Sequence, residues 1–272
     1  MSKPLPLVLD QYDRGARLYP AMIAMLPALV AGAVMVPHFC GKDALSLLLS
    51  LVGACGLLVL VAHVARDAGK AKEPEWFHAW GGRPSVAMLR HRDGRLPGLD
   101  KAHHHSFLAA HVPGLCLPSA EQEAADPAGA DEAYGRAVNW LLQQTRDKVR
   151  FGLLFRRNLE YGFRRNLTAL RNVALSLDAV LVCAVVAALV LTDRGVIPER
   201  FALPASGAGL TLGIAVLHAA LALAILRPAW VARASEDFSR QLLASSDALG
   251  ASPSKPAAKK EPPTRRKASV PT

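Results

Sequence analysis

The sequence has few aromatic residues and few cysteines for its apolar content. Only 6% of its 272 residues are aromatic, although 51% are hydrophobic. This composition differs from that of an ordinary soluble core. The four cysteines form no CxxC pair and no recognisable framework of disulfides, which excludes a secreted disulfide scaffold. The grouping of the apolar residues, described below, excludes a disordered chain and a purely cytosolic enzyme.

Recognised catalytic and nucleotide-binding motifs are also missing. The sequence contains no dinucleotide fingerprint, no HExxH pair and no Ser-His-Asp grouping. The glycines at 81–82 lack the Gly-Lys-Ser/Thr ending of a phosphate loop. The histidines at 103–105 have no carboxylate or thiolate at a metal-ligand spacing. We therefore expect no catalytic residue, no metal and no cofactor, and we favour a protein that is not an enzyme.

The apolar residues lie in four stretches that carry almost no charge, at 19–36, 44–65, 173–192 and 207–226. Each is long enough, as a helix, to cross a hydrocarbon core about 30 Å thick. We predict an all-α membrane protein whose four transmembrane helices form two hairpins, with a helical cytoplasmic module between spans 2 and 3. Pro27 predicts a kink in the first span. That span is too long for a signal peptide, so we interpret it as a retained anchor.

The basic residues predict the orientation of the spans. Of the 32 Lys and Arg residues, 29 lie outside the two short connections within the hairpins, and basic residues gather on the cytoplasmic side of a membrane. We expect both termini in the cytoplasm and a location in a bacterial inner membrane. Anionic headgroups attract basic residues near the surface by about 1 kcal/mol each. They are sufficient partners for the net charge of +10, so no nucleic acid is expected.

These boundaries divide the chain into six segments. They are a cytoplasmic lead (1–18), a first hairpin (19–65), a cytoplasmic module with a basic amphipathic helix (66–172), a second hairpin (173–226), a cytoplasmic stalk helix (227–249) and a disordered tail (250–272). Within the module, Ser119 is the expected cap of a helix, a break is expected at 126–130, and a long helix is expected from Asp131.

The basic amphipathic helix leads into the third span. Apolar residues recur every four positions from Phe151 to Leu167, and Phe-Arg-Arg-Asn-Leu occurs at 155–159 and again at 163–167. This pattern is typical of a stalk that faces lipid headgroups. The alternative is a gate that binds a phosphate-bearing ligand, because guanidinium groups suit phosphate geometry. The candidate ligand-binding residues are Arg83, Arg90, Arg92, Arg156, Arg157, Tyr161, Arg164 and Arg165.

Three ionisable residues lie inside the predicted spans: His63, Asp178 and His218. Such residues are costly in lipid and therefore indicate a specific role. Asp178 and His218 fall at similar depths and are expected to meet, either as a static pair that fixes helix register or as a latch sensitive to pH or ligand. Gly209 and Gly213 form a GxxxG pair. It predicts close helix packing, within the bundle or between subunits of a homo-oligomer.

Three motifs lie between the hairpins: Trp-Gly-Gly-Arg-Pro-Ser at 80–85, Leu-Arg-His-Arg-Asp at 89–93 and Tyr-Gly-Phe-Arg-Arg-Asn-Leu at 161–167. With the hairpins, they resemble an uncharacterised bacterial family of four-span membrane proteins, over about residues 10–245. The resemblance implies no activity and no catalytic residue. The architecture is similar, more loosely, to that of four-span anti-phage effectors, in which a cytosolic sensor triggers membrane disruption.

The arginine-rich helix and the third span are covalently continuous, and this favours a coupling function. We expect a cytosolic signal, either an anionic ligand or a protein partner, to alter membrane packing or permeability. One alternative is a structural scaffold that recruits partners to the inner leaflet. Another is an enzyme with an unrecognised site in the module, for which His91 and Asp93 are the residues to test.

Overall fold

The computed structural model describes residues 10–39, 43–198 and 202–250. Within these ranges the protein is helical and contains no strand. The helices are α1 (Gln11–Asp13), α2 (Tyr19–Ala24), α3 (Leu26–Phe39), α4 (Ala44–Ala79), α5 (Pro84–Ala87), α6 (Gly98–His111), α7 (Ala120–Ala125), α8 (Pro127–Gln144), α9 (Gly152–Ala169), α10 (Arg171–Asp193), α11 (Ala205–Ile225) and α12 (Pro228–Gly250). A π-helical turn, Arg14–Leu18, joins α1 to α2. The predicted disordered tail (250–272) lies outside the described residues from 251 onward, as does the first half of the lead, at 1–9.

Three helices, α4, α10 and α11, are long and apolar enough to cross a membrane. The all-helical fold and the presence of membrane-compatible helices are therefore confirmed. The remaining predicted span, the first one at 19–36, differs from the others because two helical segments, Gln11–Ala24 and Leu26–Val36, meet there at an angle of 60°. Such a bent pair is compatible with a broken span or with a re-entrant segment.

The bend lies at Met25, between α2 and α3. Pro27 has no N–H group, so it cannot donate the helical hydrogen bond to the carbonyl of Ile23. This loss interrupts the hydrogen-bond ladder at the point where the direction of the chain changes. The kink predicted from Pro27 is therefore present, and it divides the apolar stretch into two helices.

α4 is 36 residues long, about 54 Å at 1.5 Å per residue, and it extends well beyond the predicted end of the span at residue 65. Two glycines with positive φ, Gly81 (+75°) and Gly82 (+124°), follow its end. The N–H of Gly82 donates to the carbonyl of Phe77 at 2.7 Å, and Pro84 begins α5. The Trp-Gly-Gly-Arg-Pro-Ser motif therefore ends one helix and starts the next.

The stretch from Ser119 to the third predicted span contains more breaks than expected. Ser119 caps α7 through a capping box with Gln122, as predicted. The break at 126–130 is shorter than expected, because α8 begins at Pro127. The long helix expected from Asp131 is wrong. A turn between α8 and α9 interrupts it, where Asp147 Oδ1 accepts hydrogen bonds from the backbone N–H groups of the two residues at 149–150, a local alternative to helix.

Three apolar clusters connect the helices. The first lies where α2, α4, α9, α10 and α11 meet and contains Ala24, Ala65, Leu167, Leu170, Ala174, Ala222 and Leu226. The second joins α4, α9 and α12 through Trp76, Tyr161, Val231 and Ala234. The third and largest is built by α5, α6, α8, the start of α9 and α12, around Met88, Leu108, Tyr134, Leu141 and Leu242. α9 contributes to all three clusters and packs against the π-helical turn, α2, α4 and α12. It is therefore a central packing element of the fold.

Candidate ligand-binding site

A cleft of about 590 Å³, here called the outer cleft, opens beside the second cluster. The π-helical turn with the preceding α1, α4, the end of α8, α9 and α12 all contribute to its wall. Its charged lining residues are Arg17, Arg83, Arg146, Lys148 and Arg165, and Asp10, Asp13 and Glu73. Five cations therefore face three acids, and this excess of positive charge favours an anionic ligand.

A smaller pocket of about 220 Å³, here called the inner pocket, adjoins the outer cleft. The two recesses share four lining residues: Glu73, Arg83, Tyr161 and Phe238. The rings of Tyr161 and Phe238 are stacked, with centroids 6.3 Å apart and planes inclined by 12°. These two rings form part of the boundary between the recesses.

Glu73 connects α4 to α9 at this boundary. Its Oε1 accepts hydrogen bonds from the hydroxyl of Tyr161 and from Nη1 of Arg165, both at 2.7 Å. Arg165 is 7% exposed, so the ion pair is largely shielded from water. Burial, together with the adjacent charge of Glu73, raises the pKa of Tyr161 well above its ordinary value. The phenol therefore stays protonated and remains a donor.

The same connection continues to the N-terminal segment. Nε of Arg165 donates to Oδ1 of Asn166 at 3.0 Å, and Nδ2 of Asn166 donates to the carbonyl of Ala16 at 2.6 Å. Helix α4 approaches this network closely at Gly69, because a Cβ at that position would clash with Oδ1 of Asn166. Polar contacts on α9 thus hold the π-helical turn and α4 together.

Arg83 lines both recesses. It is half-buried, and none of the hydrogen bonds or ion pairs among the described residues involves its guanidinium group. A guanidinium group carries five N–H donors. Arg83 therefore has unused capacity to bind an anion, whereas Arg165 is occupied by Glu73 and Asn166.

Three of the eight predicted ligand-binding residues, Arg83, Tyr161 and Arg165, line the outer cleft. Arg90 and Arg92 do not, which corrects the expectation that all eight converge. Arg90 forms a two-point contact with Asp131, with N–O distances of 2.7 and 2.6 Å, and Arg92 contacts Glu123 at 3.0 Å. Contacts of this kind fix a loop and leave little capacity for a ligand.

The other three predicted arginines lie on α9 but do not line the outer cleft. Arg156 is exposed and has no ion-pair or hydrogen-bond partner in the part of the chain that the structure describes. Arg157 pairs with Glu160 at 3.2 Å. Arg164 pairs with the same carboxylate, and its guanidinium lies 5.1 Å from the ring centroid of Trp230. The two Phe-Arg-Arg-Asn-Leu copies therefore have different surroundings.

The Leu-Arg-His-Arg-Asp motif is held by two buried charges that sequence reasoning missed. Nζ of Lys101 donates to the carbonyls of Arg90 and Asp93 at 2.6 and 2.5 Å. Glu123 accepts the backbone N–H of His91 at 2.7 Å and the hydroxyl of Tyr134 at 2.8 Å. Lys and Glu on helices usually lie at the surface, so nothing in the sequence distinguished these two.

His91 and Asp93, the two residues named for the enzyme alternative, also make contacts that hold the Leu-Arg-His-Arg-Asp segment in place. Nε2 of His91 lies 3.0 Å from the carbonyl oxygen of Pro118. Burial would raise the pKa of Asp93, but hydrogen bonds from Arg95 prevail and lower it. Both side chains are thus engaged in local contacts and give the enzyme alternative no further support.

Two of the three ionisable residues in the predicted spans are in contact. Nδ1 of His218 lies 2.8 Å from Oδ2 of Asp178, and both side chains are buried. Oδ1 of Asp178 is also buried, and no described residue forms a hydrogen bond with it. His63 lies elsewhere, exposed, with Nδ1 2.8 Å from the carbonyl oxygen of Val59.

The GxxxG residues do not pack against any other described part of the chain. Gly209 and Gly213 are exposed, and a Cβ at either position would meet no described atom within 4 Å. The close approach on α11 is instead at Gly207, where a Cβ would clash with Val34 of α3. The prediction of packing by the GxxxG pair inside the bundle is therefore wrong, and the subunit interface stays a prediction.

Comparison with family models, curated proteins and solved structures gives no match. The resemblance to a four-span bacterial family stays a prediction. Among the described residues, no group of three His, Cys, Asp or Glu side chains is placed to hold a metal ion. The function must therefore be argued from the recesses themselves.

Proposed function

We propose that this chain is an integral protein of a bacterial inner membrane that couples a cytosolic anionic ligand to the packing of its transmembrane helices. In this proposal the chain crosses the membrane four times, with the bent 19–36 segment as a broken span. Both termini and the outer cleft lie in the cytoplasm. The excess of basic residues outside the two short connections supports this orientation.

The observation that carries the proposal is the Glu73–Arg165 ion pair at the cleft boundary. Glu73 belongs to α4, whose N-terminal part is one membrane-compatible helix. Arg165 belongs to α9, which is followed after a single residue, Leu170, by α10, another such helix. A change in this ion pair therefore acts on the relative positions of two predicted spans.

An anionic ligand that binds at Arg83, where the two recesses meet, competes with Glu73 for Arg165. Arg83, which has no partner among the described residues, attracts the ligand, and the ligand then weakens the contact between α4 and α9. Only a ligand that binds better to the loosened state than to the tied state shifts this equilibrium. Competition for Arg165 supplies that difference, because Arg165 is available to the ligand only when Glu73 has released it.

Substitution of Glu73 by Gln tests the proposal in the absence of a ligand. E73Q removes the charge that holds Arg165 and should mimic the ligand-bound state. We expect proteoliposomes that contain full-length E73Q to leak an entrapped fluorescent dye several-fold faster than wild type. R156Q is the matched control, since it removes an exposed cation of α9 that lies outside the cleft, and it should leak like wild type.

A milder variant provides a second test in case E73Q misfolds. Y161F removes one of the two hydrogen bonds to Glu73 and keeps its charge, so its leakage should fall between those of wild type and E73Q. If monodisperse, fully inserted E73Q and Y161F both leak at the wild-type rate, the coupling proposal is wrong.

A further inference from the structure

The inner pocket contains an unexplained polar group. Ser85 lines the pocket and is 1% exposed, and its Oγ has no hydrogen-bond partner among the described residues. Buried hydroxyl groups in native proteins are nearly always hydrogen-bonded, so an exception needs a physical explanation. A ligand in the pocket would supply the missing partner.

The charge balance of the inner pocket favours an anion at this hydroxyl. Its charged lining residues are Glu73 and Arg83. Glu73 is already matched by Arg165 at 2.7 Å, and the raised pKa of Tyr161 keeps that side chain neutral. Among the described residues, the positive charge of Arg83 is therefore left without a matching negative charge, two positions before Ser85 in the chain.

We propose that the inner pocket binds the phosphate group of a water-soluble phosphomonoester, with Arg83 and Ser85 as its principal donors. This inference rests on the proposed function and names the chemical class of the ligand. The planar guanidinium group of Arg83 binds two phosphate oxygens side by side. A third phosphate oxygen lies outside the plane of this two-point contact and accepts from the hydroxyl of Ser85, whereas both oxygens of a carboxylate lie in that plane.

The surrounding side chains fit this assignment. Ser235 and Ser239 also line the pocket, and the hydroxyl of Ser239 donates to the carbonyl of Ser235 at 2.7 Å. Among the described residues of the lining, the fully buried hydroxyl without a partner is that of Ser85. Phe77 and Phe238 provide the apolar part of the wall. The organic part of the phosphomonoester extends past Phe238 into the outer cleft, whose wall contains further aromatic rings.

The distance from the membrane favours a soluble ligand over a lipid headgroup. Arg66 is the first charged residue after the apolar part of α4. Counted at 1.5 Å per residue along α4, Glu73 lies about 10 Å and Phe77 about 16 Å beyond Arg66. The headgroup region on each side of a bilayer is only about 5–8 Å deep. The inner pocket thus lies beyond the layer in which lipid phosphates reside.

Calorimetric titration of phenyl phosphate into the detergent-solubilised full chain tests the inference. We expect phenyl phosphate to bind at least about tenfold more tightly than benzoate, because the phosphate group carries more negative charge and offers Ser85 an oxygen outside the plane of the Arg83 contact. S85A should weaken phenyl phosphate binding about tenfold or more, and R83Q should weaken it further. S106A, which removes an exposed hydroxyl on α6, should leave the affinity unchanged.

The stability of S85A separates a ligand-binding role from a structural one. Removal of a buried hydroxyl that has no partner should leave the melting temperature of the unliganded protein unchanged or raise it. A clear drop in melting temperature would show that the hydroxyl stabilises the fold and would overturn the assignment. Equal affinities of wild type and a folded S85A for phenyl phosphate would do the same.

Two further outcomes distinguish the ligand source and the underlying proposal. If nanodiscs containing phosphatidic acid displace phenyl phosphate and nanodiscs of phosphatidylcholine do not, the phosphate comes from a lipid and the soluble assignment is wrong. If phenyl phosphate does not bind while E73Q still leaks, the inner-pocket inference fails and the coupling stands. If phenyl phosphate binds as expected while E73Q does not leak, the coupling fails and the pocket stands.

Discussion

Arg83 and Arg165 show how the surroundings of a residue decide its role. Both line the outer cleft, and the sequence gives no reason to separate them. Arg165 is buried and paired with Glu73, so loss of its charge would leave the carboxylate of Glu73 without its cationic partner, which should destabilise the fold. Arg83 has no such partner among the described residues. Its substitution should therefore change ligand binding and leave the fold intact.

The buried His104 and the half-buried His105 predict an effect of pH on stability. Burial lowers the pKa of His104 and that of His105. Each is therefore neutral in the folded protein under conditions in which the unfolded chain takes up a proton. Folded-state stability is full above the ordinary pKa of 6.5 and falls as the pH drops below it.

We expect the melting temperature of the full chain in detergent to fall between pH 7.5 and pH 5.5. H104Q and H105Q should each reduce this dependence, although each also loses a contact, to Ser246 or to the carbonyl of Leu89. H111Q, at an exposed position, serves as the control. Carboxylates whose pKa is lowered in the folded protein, such as Glu123, lose their contribution to stability only at more acidic pH. A melting temperature that is constant or higher at pH 5.5 would contradict this explanation.

At the scale of the elements, α9 differs most from its sequence-based interpretation. Its pattern of apolar residues predicts a helix correctly, and the arginines favoured a face turned toward headgroups. The structure instead buries Tyr161, Gly162, Arg165 and Asn166. Which face of α9 is buried could not be predicted, because it depends on contacts with Glu73 and Ala16. These partners lie about 90 and 150 residues away in sequence. By contrast, the cap at Ser119 was predictable from local residues.

Gly69 is a sharp test of the packing between α4 and α9. A Cβ at this position would clash with Oδ1 of Asn166 and approach Arg165. We expect G69A to destabilise the protein by about 1–3 kcal/mol, the usual cost of overpacking, measured by thermal unfolding in detergent. G56A, on the same helix, is the matched control, because a Cβ there meets no described atom within 4 Å. Equal melting temperatures for G69A and G56A would show that the two helices are not tightly packed.

At the scale of the whole molecule, the sequence predicted the helical fold and the apolar stretches better than it predicted the site. Charge-free runs of about 20 residues are local signals. Pro27 was the only local signal of the bend at Met25, and the angle of 60° depends on how the helices pack. The outer cleft combines residues from Asp10 to Phe238, so its walls exist only after the helices assemble. Ser85 gave no signal at all, because an orphan hydroxyl can be recognised only in a folded structure.

The central claim is that an anionic ligand releases α4 from α9, and a distance measurement between these helices tests it most directly. Spin labels at the exposed positions Lys70 and Arg156, in a variant whose four native cysteines are replaced by serine, report this distance by pulsed electron paramagnetic resonance in nanodiscs. We predict that saturating phenyl phosphate shifts the distribution of distances between the two labels in the otherwise unmodified protein. R83Q should abolish this shift. E73Q should show the shifted distribution without ligand. An identical distribution in all of these samples would contradict the account.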